Sequence, residues 1–407
     1  MVGVSAVAVG VLALSAPASA APACVSSCTV TVSPGAESTW AVPANASDVS
    51  VVVAAGAGGD STWGAANGGA GGQITVDLGT LYNGDTLHLL AGDHGQRSDG
   101  DIGSGGGGSY IATAAGFVVV AGGGGGGGAT VDGGSSPLGG AGGYSTASAN
   151  GLDGTDAPGF HAAGTGAVGS TPGQPSTTPD VIVRGSAGTV ASVASDGTIT
   201  PGVGGSPSAA YPAAQGGGGY AGGGGGGSSN NLAQYPDEEA GAGGGGSGYL
   251  AAGLDAVSTA ANAGAGSITI TYSLQPTISA PSTTVVTGSK ATTTVGTLAP
   301  GTEFAIRLAQ TQAQLGTGTI DVAGDPATVT FTMPSVPAGD YTLELVVGGS
   351  TVATSDPFAV TVAVQPASTG AKTLPATGVD DVAALLALAV LLMGAGVAFV
   401  ALRRRRA

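Results

Sequence analysis

Reactive side chains are scarce in this 407-residue chain, which has three His, two Cys, and nine Lys plus Arg against 25 Asp plus Glu. His88, His94 and His161 could each supply a base, and Asp93, Asp99 and Asp101 lie near the first two in sequence. Asp99-Gly100-Asp101 is the best Ca²⁺ candidate, but it lacks the bidentate acid and the spacing of a complete loop. Cys24 and Cys28 have no second Cys or His pair nearby, so they do not read as a metal site; export would permit a local disulfide between them. Lys290 could enter an intramolecular isopeptide crosslink, although one lysine in a sandwich is more often simply exposed. Gly-x-Gly-x-x-Gly matches arise by chance among 80 Gly, and the strand, helix and ribose-binding acid they require are missing. These residues predict no catalytic centre, no cofactor and no metal site.

Stronger spacing lies at the C-terminus. Leu374-Pro375-Ala376-Thr377-Gly378 precedes an uncharged stretch from Val382 to Leu402 and then Arg403 to Arg406. An apolar helix over 382–402 would be roughly 32 Å long, enough to cross a bilayer's apolar core. The Arg cluster would stay cytoplasmic, so the segment halts export with the pentapeptide just outside the membrane. Pro375 fixes its own φ and holds Leu374 extended, presenting an accessible peptide.

This tripartite end, 374–407, resembles the sorting signal of sortase substrates. The resemblance implies that a sortase thiolate attacks the Thr377 carbonyl and that a peptidoglycan-precursor amine resolves the acyl-enzyme, leaving Thr377 as the covalent attachment point. Residues 366–373 then form a wall-proximal linker. At the other end, Val2 to Leu14 is apolar and leads to Ala16-Pro17-Ala18-Ser19-Ala20, a signal-peptide pattern over 1–20 with cleavage after Ala20. The missing basic n-region points to a start further upstream. Processing would leave 21–377, with 21–28 as a short N-terminal segment. The five basic residues before the tail, Arg97, Arg184, Lys290, Arg307 and Lys372, form no patch in an acidic chain, which disfavours nucleic acid as a partner.

Between the ends, residues 29–274 are rich in glycine yet bracketed by strand signals. Thr29 to Val32 alternates, Val49 to Val53 is β-branched, and Ile268, Ile270 and Tyr272 alternate with polar neighbours. Gln73 to Leu78, Thr86 to Leu90 and Phe117 to Val120 lie between them, and their apolar faces call for a β-sandwich. The runs at 105–108, 122–128, 216–219, 222–227 and 243–246 can bury only backbone. Glycine can adopt an extended threefold helix at about 3.1 Å per residue, and lacking Cβ it lets neighbouring helices hydrogen-bond laterally. A disordered linker is the alternative, against which the strand brackets and two Trp argue. Residues 150–215, with less Gly and more Ser, Thr and Pro, read as an insertion loop or cap.

Ser38-Thr39-Trp40-Ala41-Val42-Pro43, Val49 to Val53 running into Gly56-Ala57-Gly58-Gly59, Val118-Val119-Val120-Ala121 before the seven-Gly tract, and Gly246-Ser247-Gly248-Tyr249 carry a second resemblance. They resemble bacterial glycine-rich surface domains and the extracellular glycine-rich region of anaplastic lymphoma kinase. The resemblance implies a jelly-roll-like β-sandwich coupled to a polyglycine-helix bundle. From 275 to 365 the tracts end and Thr/Val alternation begins, as in Phe304-Ile306-Leu308, Val329-Phe331-Met333, Tyr341-Leu343-Leu345-Val347 and Phe358-Val360-Val362-Val364. Pro337-Ala338-Gly339-Asp340-Tyr341-Thr342-Leu343 resembles the late strand of bacterial immunoglobulin-like stalk domains, which implies an immunoglobulin-like spacer. The chain is thus expected to be mainly β and non-enzymatic. It reads as a wall-anchored adhesin-like module whose surface or host ligand the residues leave open, with a structural coat or stalk as the alternative and a hydrolase as a third reading. Phe160, His161 and Tyr211 in the insertion favour binding only weakly.

Overall fold

A computed structural model describes residues 27–363 except 62–65, 97–101, 130–136, 157–162, 176–183, 207–213, 228–239, 299–300 and 321–326. The expected signal peptide, Cys24, the linker, the sorting motif Leu374 to Gly378 and the 382–402 span lie outside the described residues. No described helix is long and apolar enough to cross a membrane.

The described chain is β-rich and contains multiple sheets. The first domain holds β1 (Cys28–Val32), β2 (Ser38–Ala41), β3 (Ala46–Ala54), β4 (Gly71–Gly79), β5 (Thr86–Leu90) and β6 (Ser109–Thr113). It continues with β7 (Gly116–Ala121), β8 (Ser192–Val193), β9 (Ile199–Thr200), β10 (Tyr249–Leu250), β11 (Ala256–Asn262) and β12 (Ser267–Leu274). Two five-stranded antiparallel sheets form, ordered β1-β12-β3-β4-β11 and β10-β7-β6-β5-β2. Their inward residues meet in one core: Val51, Val53, Ile74, Val76, Ile268 and Ile270 from one sheet, and Leu87, Leu89, Ile111 and Val119 from the other. Period-two alternation explains the faces: in β12, Ile268 and Ile270 are buried while Thr271 is exposed. Trp40 packs on this core with its ring 5.2 Å from that of Tyr272.

The glycine tracts are ordered by lateral hydrogen bonds with a period of three. Along 122–128, the N–H groups of Gly122, Gly125 and Gly128 donate to Gly143, Gly140 and Pro137; those of Gly123 and Gly126 donate to Gly218 and Gln215; those of Gly124 and Gly127 donate to Gly56 and Gly59. The carbonyls repeat the pattern toward three further segments, accepting from Gly72 and Gly69, from Gly246 and Gly243, and from Gly106 and Gly103. One tract thus bonds six neighbours, which is the packing a threefold extended chain allows when successive peptides point about 120° apart. The 243–246 tract is likewise surrounded, donating to Gly126, Gly224, Leu152 and Gly123 and accepting from Gly140, Gly217, Ala167 and Gly143. Glycine is obligatory where this packing is closest: a Cβ on Gly125 would lie 2.5 Å from the Gly243 carbonyl carbon and inside its oxygen.

Described parts of 150–215 are members of this array. Gly151, Leu152, Gly164, Ala167, Gly173, Gly188 and Gly205 all donate backbone bonds to other array segments. Outer segments carry larger side chains because only their inward-facing positions are crowded: Leu152 is 51% and Val203 57% exposed. Val181 to Val183 lies outside the described residues.

The second domain contains β13 (Thr277–Ile278), β14 (Val285–Val286), β15 (Lys290–Gly296), β16 (Glu303–Leu308) and β17 (Ala313–Thr319). It ends with β18 (Ala327–Thr332), β19 (Gly339–Tyr341), β20 (Leu343–Val347), β21 (Ser350–Thr354) and β22 (Phe358–Thr361). Its sheets run β13-β15-β18, β14-β22-β19 and β17-β16-β20-β21. They enclose a separate core built on Phe304, Ile306, Leu308, Phe331, Leu343 and Leu345. The stretch from Tyr341 to Val347, read as one alternating strand, divides at Thr342 into β19 and β20, which belong to different sheets. Asn45 joins the two domains: its Nδ2 donates to the Gln275 carbonyl at 2.8 Å and to Thr297 Oγ1 at 3.1 Å.

Candidate functional site

The sandwich and the glycine array share a seam of buried polar side chains. Ser109 Oγ accepts from Gly92 N–H at 2.9 Å and donates to the Ala54 carbonyl at 2.6 Å. The adjacent Tyr110 is fully buried; its hydroxyl donates to the Gly219 carbonyl at 3.0 Å and accepts from Gly202 N–H at 3.1 Å. Burial pushes this phenol well above the ordinary tyrosine range, and hydrogen bonding from the Gly202 and Gly219 backbone, including the Gly202 N–H that donates to its oxygen, opposes that shift only in part. Ser247, the serine after the last tract, accepts from Ala221 N–H at 3.0 Å and donates to the Gly169 carbonyl at 2.6 Å. Ser109-Tyr110 follows Gly105 to Gly108 just as Ser247 follows Gly243 to Gly246. A serine leaving a glycine tract before an aromatic strand start is the sequence signal for this seam, and it was read above only at Ser247.

The residues considered for acid–base chemistry are held separately. His88, on β5, meets Glu37 with Nδ1 to Oε1 at 2.8 Å, and Glu37 Oε2 accepts from Ile199 N–H at 3.2 Å. Glu37 thereby ties the β8–β9 hairpin to the sandwich. The hairpin turn carries Gly197 at φ +91°, packed so closely on the His88 ring that a Cβ would enter the imidazole. Asp196 beside it has its carboxyl held below the usual range, chiefly by the Thr198 backbone N–H, with His88 adding a smaller attraction. His94 Nδ1 contacts the Gly95 carbonyl, and His161, Asp99 and Asp101 lie outside the described residues. Among the described residues no group of three His, Cys, Asp or Glu side chains could hold a metal ion. Lys290 is exposed at the start of β15. Cys28 is disulfide-bonded and 2% exposed.

The residues of the wall-anchoring reading follow the second domain, since β22 ends at Thr361 and the pentapeptide begins at Leu374. Residues 366–407 match the LPXTG cell wall anchor motif. No characterised protein matches the chain in sequence. The chain is therefore a surface protein covalently anchored to the cell wall of a Gram-positive bacterium, processed by sortase and attached to peptidoglycan.

Proposed function

We propose that the protein is a non-enzymatic, adhesin-like display module whose glycine-rich domain binds a surface or host ligand, with the second domain as an immunoglobulin-like spacer. The observation that carries this reading is the order of parts: the anchor lies at 366–407, and the larger ordered domain lies at the far end of the chain from it. Thr377 is the attachment residue, and the signal peptide is removed after Ala20. Two antiparallel sheets closed by the pairing of β1 with β12 support a jelly-roll-like first domain.

In the second domain, the Tyr341 hydroxyl donates to the Pro337 carbonyl at 3.1 Å, and β14 pairs in parallel with β22. A tyrosine bonded to backbone a few residues upstream is a corner found in immunoglobulin-like sandwiches, which supports the spacer reading. The structural engagement of His88 and Ser109 favours binding over catalysis. The test uses residues 29–274 and 275–365 as separate fragments: adhesion to glycans or matrix proteins should follow the first. Adhesion carried only by the second reverses the assignment. If neither binds while deletion weakens the envelope, the protein is a structural coat.

A further inference from the structure

Among the described residues, one wall of the array is open. A cleft of about 430 Å³ is bordered by Gly92-Asp93, Gly105 to Gly108, Pro201 to Gly204 and Gln215-Gly216. Its neighbouring segments satisfy most of their threefold bonding directions. In the first, Gly103 and Gly106 donate to Gly127 and Gly124, while Ser104 and Gly107 donate to Gln96 and Asp93. The third direction belongs to Gly105, whose N–H and carbonyl have no partner among the described residues. Gly204 repeats this: its neighbours Val203 and Gly205 are bonded on both sides, to Thr189 and to Gly223 and Gly216, and its own N–H and carbonyl have no partner among the described residues. A third position adds one more acceptor, the Gly216 carbonyl, which has no partner among the described residues. These positions lie side by side, since a Cβ on either Gly105 or Gly204 would strike the Gly216 oxygen.

We propose that this cleft is a docking slot for an extended glycine-rich peptide segment of another molecule, which would continue the array by one chain. Two donors and three acceptors, set in the phase of a threefold helix, match a backbone rather than a side chain. Peptide recognition commonly reuses secondary-structure hydrogen bonding in this way. The walls are mostly glycine, so a visiting chain can approach as closely as the resident ones do, provided that it also lacks Cβ. Among the described residues of the lining, Asp93 is the only charged one and none is Lys or Arg, so no described cation is there to hold an anion. Proline-rich segments share the threefold geometry but have no N–H to give the Gly105, Gly204 and Gly216 carbonyls.

The slot deepens the display reading by naming a ligand class for its first domain. The test is an NMR titration of isotopically labelled 21–377, which contains every described residue, with hexaglycine, hexaproline or cellohexaose. Hexaglycine should shift the Gly105 and Gly204 amides saturably at millimolar concentration and slow their hydrogen exchange, and the other two should not. Ser206→Trp or Val203→Trp, each at an exposed rim position, should weaken the response at least tenfold while the remaining amides keep their shifts. The proposal is overturned by no response at Gly105 and Gly204, by an equal response to hexaproline, or by a response to the glycan alone. Adhesion without a hexaglycine response rejects the slot and leaves the display reading standing; a hexaglycine response without adhesion does the reverse.

Discussion

Replacing Gly125 by Ala tests whether the lateral bonding of the tracts holds the first domain together. The added methyl would sit 2.5 Å from the Gly243 carbonyl carbon and 2.9 Å from the Gly244 oxygen, both backbone atoms that no rotamer change can move. Ordinary contact needs roughly 3.4 Å, so the two tracts must part by about 1 Å, a shift beyond what well-formed hydrogen bonds tolerate. The bonds at stake are Gly125 to Gly140, Gly69 to Gly125 and Gly243 to Gly126, with lengths of 2.8, 2.7 and 3.0 Å. Each buried group left unpaired costs about 1–3 kcal/mol, whereas the reduced freedom of the unfolded chain returns only about 0.4–1 kcal/mol. A net loss of about 3–6 kcal/mol is therefore expected, a large part of the roughly 5–15 kcal/mol that stabilises a typical domain. Gly264→Ala is the control, because its nearest obstacle is the Asn262 Oδ1 atom at 3.9 Å. Thermal and denaturant unfolding of 21–377 would measure both, with hydrogen exchange at Gly69 and Gly140 locating the damage. A Gly125→Ala protein within about 0.5 kcal/mol of the parent would refute the reasoning, since that is the range of an ordinary surface substitution.

Tyr110→Phe should cost about 1–3 kcal/mol by stripping partners from Gly202 and Gly219 in the seam, measured by denaturant unfolding. The same residue gives a pH signature. Its pKa is raised in the folded protein above the ordinary 10.0, so its contribution is intact below about pH 10 and is lost as pH rises through the higher folded value; the alkaline stability slope should be shallower in Tyr110→Phe. Thr377→Ala should abolish wall attachment, and mass spectrometry of muramidase-released parent protein should find the chain ending at Thr377 joined to peptidoglycan. Material that still carries 382–406 after wall purification would contradict this. Asn45→Ala should leave both cores intact but loosen the junction by removing the bonds to Gln275 and Thr297, seen as independent tumbling of the domains by NMR relaxation.

The apolar strands were legible because burial on one face writes itself as alternation. The stretch from Thr86 to Leu90 coincides with β5, and Ile268, Ile270 and Tyr272 fall within β12. Strands without that contrast were missed. β11 reads Ala-Val-Ser-Thr-Ala-Ala-Asn, lies at a sheet edge and exposes most of its residues, so no alternation marks it. β17 contains Gly316 and Gly318, the second made necessary by the Phe304 ring, whose nearest atom a Cβ would approach to 2.6 Å. The glycine runs announced lateral backbone bonding, but not which segments would be neighbours, because identical residues carry no address. For the same reason 150–215 was set apart by composition although many of its backbone groups bond into the array. At the C-terminus the ordered pentapeptide, uncharged stretch and Arg cluster were visible in the sequence, and the resemblance to sortase sorting signals gave that order its meaning.

The three-residue repeat of the array also restricts how its sequence can change in length. In a β-strand or a loop, one inserted residue is absorbed by a bulge. In the 122–128 tract, one residue more or less turns every downstream peptide by a third of a revolution, so the donor that faced Gly140 faces the direction of Gln215 or Gly59 instead. Removing three residues shortens the tract by a full turn and returns the remaining donors to their former directions. Tract lengths in this domain should therefore drift in steps of three where both ends are tied to the sandwich, and a single-codon deletion, silent in composition, should act as a frameshift in space.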